Sequence, residues 1–493
     1  MEAADNDNNN VSSGNDFKAG SHYLGKRHHP AIGVRIPEIF IPGIMASLLK
    51  HNCASSLMLS FGRETAPEEI IIAPPGRYEI TLGHTGTSIR KYLISCSRAA
   101  RSSGITVEME ADHLIITASS AQAVKRIEGV KTPVLVGEAA LEHSMRYNVQ
   151  AIEEAVSTGV IRAFTVDTSD LFDYQAEKLK GVALARAFRE AYSENDQERI
   201  LKTYFGKHRF KGADGKPVRM EIKTAKLKAL AVKYKRSLDV TERLFKEINS
   251  RMKHPFAFEI SLDETAKPTQ PADLFFYLGE WNARGLPCEY VAPNIGFEKR
   301  QDYTGNMDML KNRARSAHAI AAQYDALLSI HSGSGTTPYS GKGNGVYDIL
   351  LECTGSQLKY KISGVYYELL IEVLAGHKKG TDARILFELI FADVMEFLKN
   401  ETETKGPLYS KVLARMMDGA TATRKKDYDP RNDAFRYHSF LALNFRDLKG
   451  RRYFRDRLIR LYNEDLKLRK QVDQEVENLT SRLIEGLKFQ NNH

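Results

Sequence analysis

Two adjacent carboxylates stand where an alternating apolar run ends. In Ser261–Thr269 (SLDETAKPT), Asp263 and Glu264 are followed by a lysine and a proline-bounded turn. Divalent cations of hard or borderline character take carboxylates together with imidazoles. An imidazole holds the corresponding place in Ile330–Gly335 (IHSGSG), where His331 precedes a Gly/Ser loop that begins at Ser332. Such a histidine suits a metal ligand or a general base, and such a loop suits an anion through its backbone N–H groups. Glu110–His113 (EADH) adds Asp112 and His113, and Phe164–Asp170 (FTVDTSD) adds Asp167 and Asp170. His84, Asn294, Glu298, Lys361 and His438 stand at the ends of, or within, similar runs. Each has a plainer reading. Asp263 could cap a helix, and DTSD reads as an N-cap, more so for Asp170 than for Asp167. A lone histidine is more often a satisfied core residue. Lys361 and His438 could lie at a surface edge, although a buried strand lysine is costly without a partner or a task.

The collective pattern is stronger than any single residue, because the elements that carry these groups form a rhythm. Eight β-rich runs are read: Tyr78–Gly83, Thr106–Glu110, Ala163–Asp167, Ala257–Asp263, Glu289–Pro293, Leu327–His331, Leu358–Ser363 and Arg436–Leu441. Helical spacing lies between most of them, as in Ser88–Ser102 and Met307–Tyr324. Alternating strands and helices imply a parallel sheet, and eight such units imply a (β/α)8 TIM-like barrel with its chemistry at the C-terminal strand ends. Residues 171–250 interrupt the rhythm and read as a helical, basic insertion over one barrel mouth, with a hairpin-like stretch at Gly206–Val218. Residues 1–32 read as a disordered tail, 33–445 as the catalytic barrel and 446–493 as a charged outer helix.

The 493 residues carry 71 Lys+Arg against 62 Asp+Glu, a net charge of +9. That mild excess suits an anionic small molecule. It is thin support for nucleic-acid binding, for which strand-end acids make little sense. The four cysteines, Cys53, Cys96, Cys288 and Cys353, form no CxxC pair. Neither a zinc knuckle nor a disulfide framework is supported. No apolar run nears the roughly 18 residues of a membrane span, and no signal peptide is read, so the expectation is a cytoplasmic protein without a membrane partner. GKG at Gly341–Gly343 is not a Walker A motif, and no GxGxxG follows a strand.

At these residues the sequence resembles the tagaturonate epimerase family, with its related tagatose 4-epimerases. The resemblance rests on SLDETAKPTQP, APN…FEKRQDYTG (Ala292–Gly305), LSIHSGS (Leu328–Ser334), YKISG (Tyr360–Gly364), ADH, FTVDTSD and YFGK (Tyr204–Lys207). These motifs run in family order over roughly residues 77–445. The resemblance implies a metal-dependent barrel epimerase that inverts carbon four of a hexuronate or ketohexose. It implies a site containing Asp112, His113, Asp263, Glu264, His331 and Lys361. The sequence departs from the family pattern at Asn294, where an arginine is expected nearby. It also departs in a longer Gly-rich stretch after HSGS, and at Val365 and Tyr366, where small hydroxyl residues are expected. The working assignment is a divalent metal (Zn, Mn, Ni or Co) on His113, Glu264, His331 and His438. Asp167, Asp263 and Lys361 are the catalytic groups. His84, Asp112, Asp170, Asn294, Glu298 and Ser332 contact a sugar or sugar acid. A retro-aldol cut fits carbon four, which lies β to the carbonyl. A metal-dependent sugar isomerase and a Schiff-base aldolase using Lys361 are the other enzyme readings.

Overall fold

In the computed structural model, residues 19–127, 130, 136–422 and 428–492 are described. Eight strands follow one another in the chain: β1 His29–Gly33, β2 Ser55–Ser60, β3 Thr106–Ile115, β4 Ile161–Asp167, β5 Ala257–Leu262, β6 Tyr290–Pro293, β7 Leu327–Ile330 and β8 Leu358–Ile362. Each pairs in parallel with the next. β8 pairs with β1, so the ring closes as a (β/α)8 barrel. Helices cover it, beginning with Pro37–Lys50, Ile89–Ser102 and Glu138–Ser157.

Six of the eight expected strands are present. Tyr78–Gly83 is instead a turn, in a segment where Gly76, Gly83 and Gly86 all adopt positive φ, a conformation that strands exclude. Arg436–Leu441 is helical: Asn432 caps Asp433–His438 by accepting from the Phe435 N–H, and a 3-10 turn follows. The two missing strands are β1 and β2. β1 lies within the stretch read as a tail, so that expectation is corrected for residues 20–32, and residues 1–18 fall outside the described residues. Pro30 disguises β1, because proline argues against a central strand.

Two other expectations change. Helix Thr224–Arg251 packs against Glu138–Ser157, Pro271–Ala283 and β4, the place of the helix that returns the chain from β4 to β5. Only the short helices Gly181–Ala191 and Glu194–Tyr204 and the hairpin Gly206–Lys211/Pro217–Ile222 are additions. The C-terminal segment holds two helices, Tyr453–Glu464 and Leu466–Gly486. The second lies along Pro37–Lys50, so close that a Cβ on Gly43 would stand 2.6 Å from the Asp473 carbonyl oxygen.

The barrel interior is charged. Period-two alternation sends Lys359 and Lys361 of β8 inward while Leu358 and Tyr360 face the helices. Lys359 Nζ lies 2.7 Å from Glu110 and 3.1 Å from Glu259. Lys361 Nζ lies 2.7 Å from both Glu110 and Asp112, and 2.9 Å from Glu259. β8 neighbours neither β3 nor β5 in the ring, so these contacts cross the interior. Barrels of this kind are more often filled with Val, Ile and Leu. Buried charges persist here because each is paired.

Candidate functional site

A cavity opens at the C-terminal ends of the strands, where β3, β5, β7 and β8 deliver Asp112, His113, Asp263, His331 and Lys361. β3 changes register against β4 between Ala111 and Leu114, and His113 sits in that irregularity with φ 50°. The bulge re-aims its ring into the mouth. His331 follows β7, and Ser332 adopts φ 58° directly after it. Left-handed non-glycine backbone of this kind concentrates at functional sites.

The two rings meet. His113 Nε2 lies 3.1 Å from His331 Nδ1, and His331 Nδ1 lies 3.2 Å from Asp263 Oδ1. The other nitrogen of His331, Nε2, lies 2.6 Å from Glu259 Oε1. Without a cation at the site, burial opposes charge on His331, but Asp263 and Glu259 outweigh it and push the pKa up to about 9, so a metal ion bound there would displace that proton. Asp263 is held well below the usual carboxylate range, where burial is overcome by His331 and His113. Lys361 is held well above its ordinary value, its desolvation outweighed by Asp112, Glu110 and Glu259. An amine held that way is an ammonium at neutral pH and a poor Schiff-base nucleophile.

The donor set suits a divalent cation. Asp112, His113 and His331 each offer one ligand atom within 4.8 Å of the others, and so do His113, Asp167 and Asp263. His113 Nδ1 and Asp167 Oδ2 are buried without a hydrogen-bond partner although they stand 3.4 Å apart. Orphaned buried polar atoms are costly, and a shared cation would satisfy both. Mixed imidazole and carboxylate donors fit a borderline metal.

Glu264 and His438 join neither group. Both Glu264 oxygens face cations: Lys299 at 2.6 Å, Arg63 at 3.5 Å and Arg126 at 4.0 Å. Lys299 and Arg63 overcome burial to lower its pKa to about 2. His438 is fully buried on its helix, with Nδ1 2.8 Å from the Ala434 carbonyl. His84 does reach the cavity, from the loop after β2, with its ring against Phe440. Burial and the nearby Arg35 push its pKa well down, so it is neutral. Asp170 pairs with Arg126. Asn294 ties its own loop to the Thr265–Thr269 turn through Thr265 and Gly296. Neither residue lines the cavity, nor does Glu298. Asp167 stands behind His113, with one oxygen accepting from the Ser169 N–H.

The cavity also holds cationic side chains. Arg35, Arg63, Lys299 and Arg300 all line the cavity. Arg35 lies 2.7 Å from Glu64, and Arg300 lies 3.0 Å from Glu368. Sequence reasoning missed these residues. Arg35, Arg63 and Glu64 follow β1 and β2, the two strands not found. Lys299 and Arg300 lie within the quoted FEKRQDYTG motif but were not singled out. The signal was present in AIGVRIPEIF, an alternating run that leads into a helix with Pro at its first turn.

Residues 146–406 match the family model UxaE, described as tagaturonate epimerase, and this span is more than half of the 493 residues. The chain belongs to the tagaturonate epimerase family. Epimerases are isomerases, and the resemblance read from the motifs holds. A tagaturonate/fructuronate epimerase of Thermotoga maritima is 31% identical to this family member over 123 residues, which span 24% of this chain and 24% of that protein. The fold also matches a fructuronate-tagaturonate epimerase from Cohnella laeviribosi. Its one-glycerol crystal structure gives a TM-score of 0.65 at 17% identity, covering 95% of this chain and 83% of that one. Its native structure gives 0.64 with the same coverage. Among the described residues, no helix is long and apolar enough to cross a membrane.

Proposed function

We propose that this protein inverts carbon four of a keto-hexuronate, interconverting sugars of the tagaturonate and fructuronate type, at a divalent cation held by Asp112, His113 and His331. The observation that carries the reading is one cavity lined both by imidazoles and carboxylates and by Arg35, Arg63, Lys299 and Arg300. Those four cations already face Glu64, Glu264 and Glu368, and the carboxylate of a sugar acid, which a neutral ketohexose lacks, adds a second anion for them to bind.

Carbon four is β to the carbonyl, so its hydrogen is not acidified by enolisation, and a retro-aldol cut avoids removing it. Asp263, ionised and facing the cavity, takes the proton from the carbon-four hydroxyl. The bond between carbons three and four breaks, and its electron pair moves onto the carbon-two oxygen to give an enediolate. When bound, a divalent cation supplies the Lewis acid that this negative charge requires. Lys299 and Arg300 retain the aldehyde fragment, which carries the carboxylate, while it turns over. Recondensation on the other face returns the electron pair to carbon three and rebuilds the bond, and the new carbon-four alkoxide takes back the proton that Asp263 accepted. Asp167 orients the His113 ring. Lys361 keeps the buried carboxylates in place.

The test is incubation of metal-loaded protein with tagaturonate, fructuronate, tagatose and fructose, with products identified by NMR. Epimerisation of the acids well above the neutral sugars is expected. A product with a moved carbonyl would overturn the assignment. Substrate deuterated at carbon four separates the chemistry. The label is retained without a primary isotope effect in a retro-aldol route, and a primary effect would refute it.

A further inference from the structure

The stretch after His331, GSGTTPYSGKGNG (Gly333–Gly345), is Gly-rich and contains one buried lysine, Lys342, only 1% exposed. Among the described residues, its ammonium forms no close carboxylate pair. It donates to the backbone carbonyl of Glu298 and, at 2.7 Å, to that of Gln301, and it lies 5.1 Å over the Phe297 ring. The two carbonyls between them are taken as well: the Tyr437 hydroxyl donates to the Lys299 oxygen at 3.2 Å, and Arg436 donates to the Arg300 oxygen at 3.0 Å and to the Gly335 oxygen at 2.8 Å. Asp302 closes the other side by accepting from the Thr336 N–H at 2.8 Å and the Ser340 hydroxyl at 2.6 Å. The turn held in this way contains Lys299 and Arg300, both lining the cavity, and Arg300 sits at φ 58°, a conformation a non-glycine residue does not keep unaided. The two loops also meet without spare room. A Cβ on Gly335 would stand 2.0 Å from the Gly341 carbonyl oxygen and 2.2 Å from Asp302.

We propose that Lys342 is a positioning residue. The Gly-rich loop after β7 uses its ammonium to clamp the 298–302 turn, and this fixes Lys299 and Arg300 where they grip the acid end of the sugar. The inference rests on the carboxylate-binding role proposed above and adds the device that builds it. The lysine nitrogen suits the task because it keeps at least two donors for the two carbonyls that converge on it, even where burial, which lowers its pKa to about 7, removes its charge.

The experiment compares Lys342→Met and Gly335→Ala with wild type and with Asn344→Ala, an exposed position in the same loop. Kinetics with tagaturonate and with tagatose are read alongside hydrogen exchange of the 298–303 amides. Both test variants should raise KM for the acid about tenfold or more with kcat within about twofold, because a grip shared by ground and transition states changes KM alone. KM for the neutral sugar should stay unchanged, exchange at 298–303 should quicken, and Asn344→Ala should behave as wild type. An unchanged KM for the acid, or an equal loss of kcat with both sugars, would overturn the proposal. The exchange measurement needs no turnover, so it separates this inference from the functional reading. If wild type epimerises neither sugar, unchanged exchange in Lys342→Met still refutes the clamp.

Discussion

Replacing Lys361 with methionine keeps the stem's volume and removes one charge from the barrel interior. The ammonium is shared by Glu110, Asp112 and Glu259, all within 2.9 Å, and by the Thr165 hydroxyl at 2.7 Å. Without it, Lys359 still reaches Glu110 at 2.7 Å and Glu259 at 3.1 Å, so those two carboxylates keep one cation between them. Among the described residues, Asp112 keeps one close ion-pair partner, His113, at 3.8 Å. Breaking a buried pair by removing one partner costs about 3–5 kcal/mol. The upper part of that range applies if no carboxylate takes up a proton, and the lower part if one does. Urea denaturation at neutral pH measures the loss. Glu110→Gln in the Lys361→Met background removes one of the stranded charges and should return about 1–3 kcal/mol, a coupling that the double-mutant cycle reads directly. A loss below about 1 kcal/mol, or strict additivity in the cycle, would refute the account of Lys361 as the shared counter-ion.

The remaining predictions concern pH, metal and the charged groups at the cavity. Glu108 accepts from the Leu24 N–H at 2.9 Å and from Ser56, and burial raises its pKa from 4.5 to about 8 against the pull of Lys359. Between those values the folded chain holds a proton that the unfolded chain has released. Its contribution to stability therefore falls as pH rises through that window and levels off above it. The wild-type-minus-Glu108→Gln difference in urea stability should show this slope, and a flat difference from pH 5 to 8 would disprove it. Chelation should abolish turnover, divalent ion should restore it, and His113→Ala should lose bound metal by elemental analysis. Full metal occupancy in His113→Ala would remove that ring from the site. Glu264→Gln frees Lys299 and Arg63 and should alter KM while metal stoichiometry holds, whereas loss of metal would restore Glu264 as a ligand. Asp263→Asn should lower kcat by roughly 10²–10⁴-fold, the range for a general base.

The sequence by itself determined the barrel and several of the residues that line the cavity, among them Asp112, His113, Asp263, His331 and Lys361. Strand alternation is local, so AFEISLD and LKYKIS declared both their strands and the residues at their ends, and six of the eight strands followed from that. Where local signals conflict with the fold, the reading failed. Pro30 and the polar residues before it concealed β1, and with β1 and β2 went Arg35, Arg63 and Glu64. Tertiary structure alone decided which neighbours along the chain face the same way. Asp263 and Glu264 are adjacent, yet one meets His331 and the other is drawn to Lys299 and Arg63. It also decided that Lys359 and Lys361 lie inside, because their partners come from β3 and β5 on other sides of the ring. Pairings of that kind depend on ring closure, and closure brings together residues that no spacing along the chain connects.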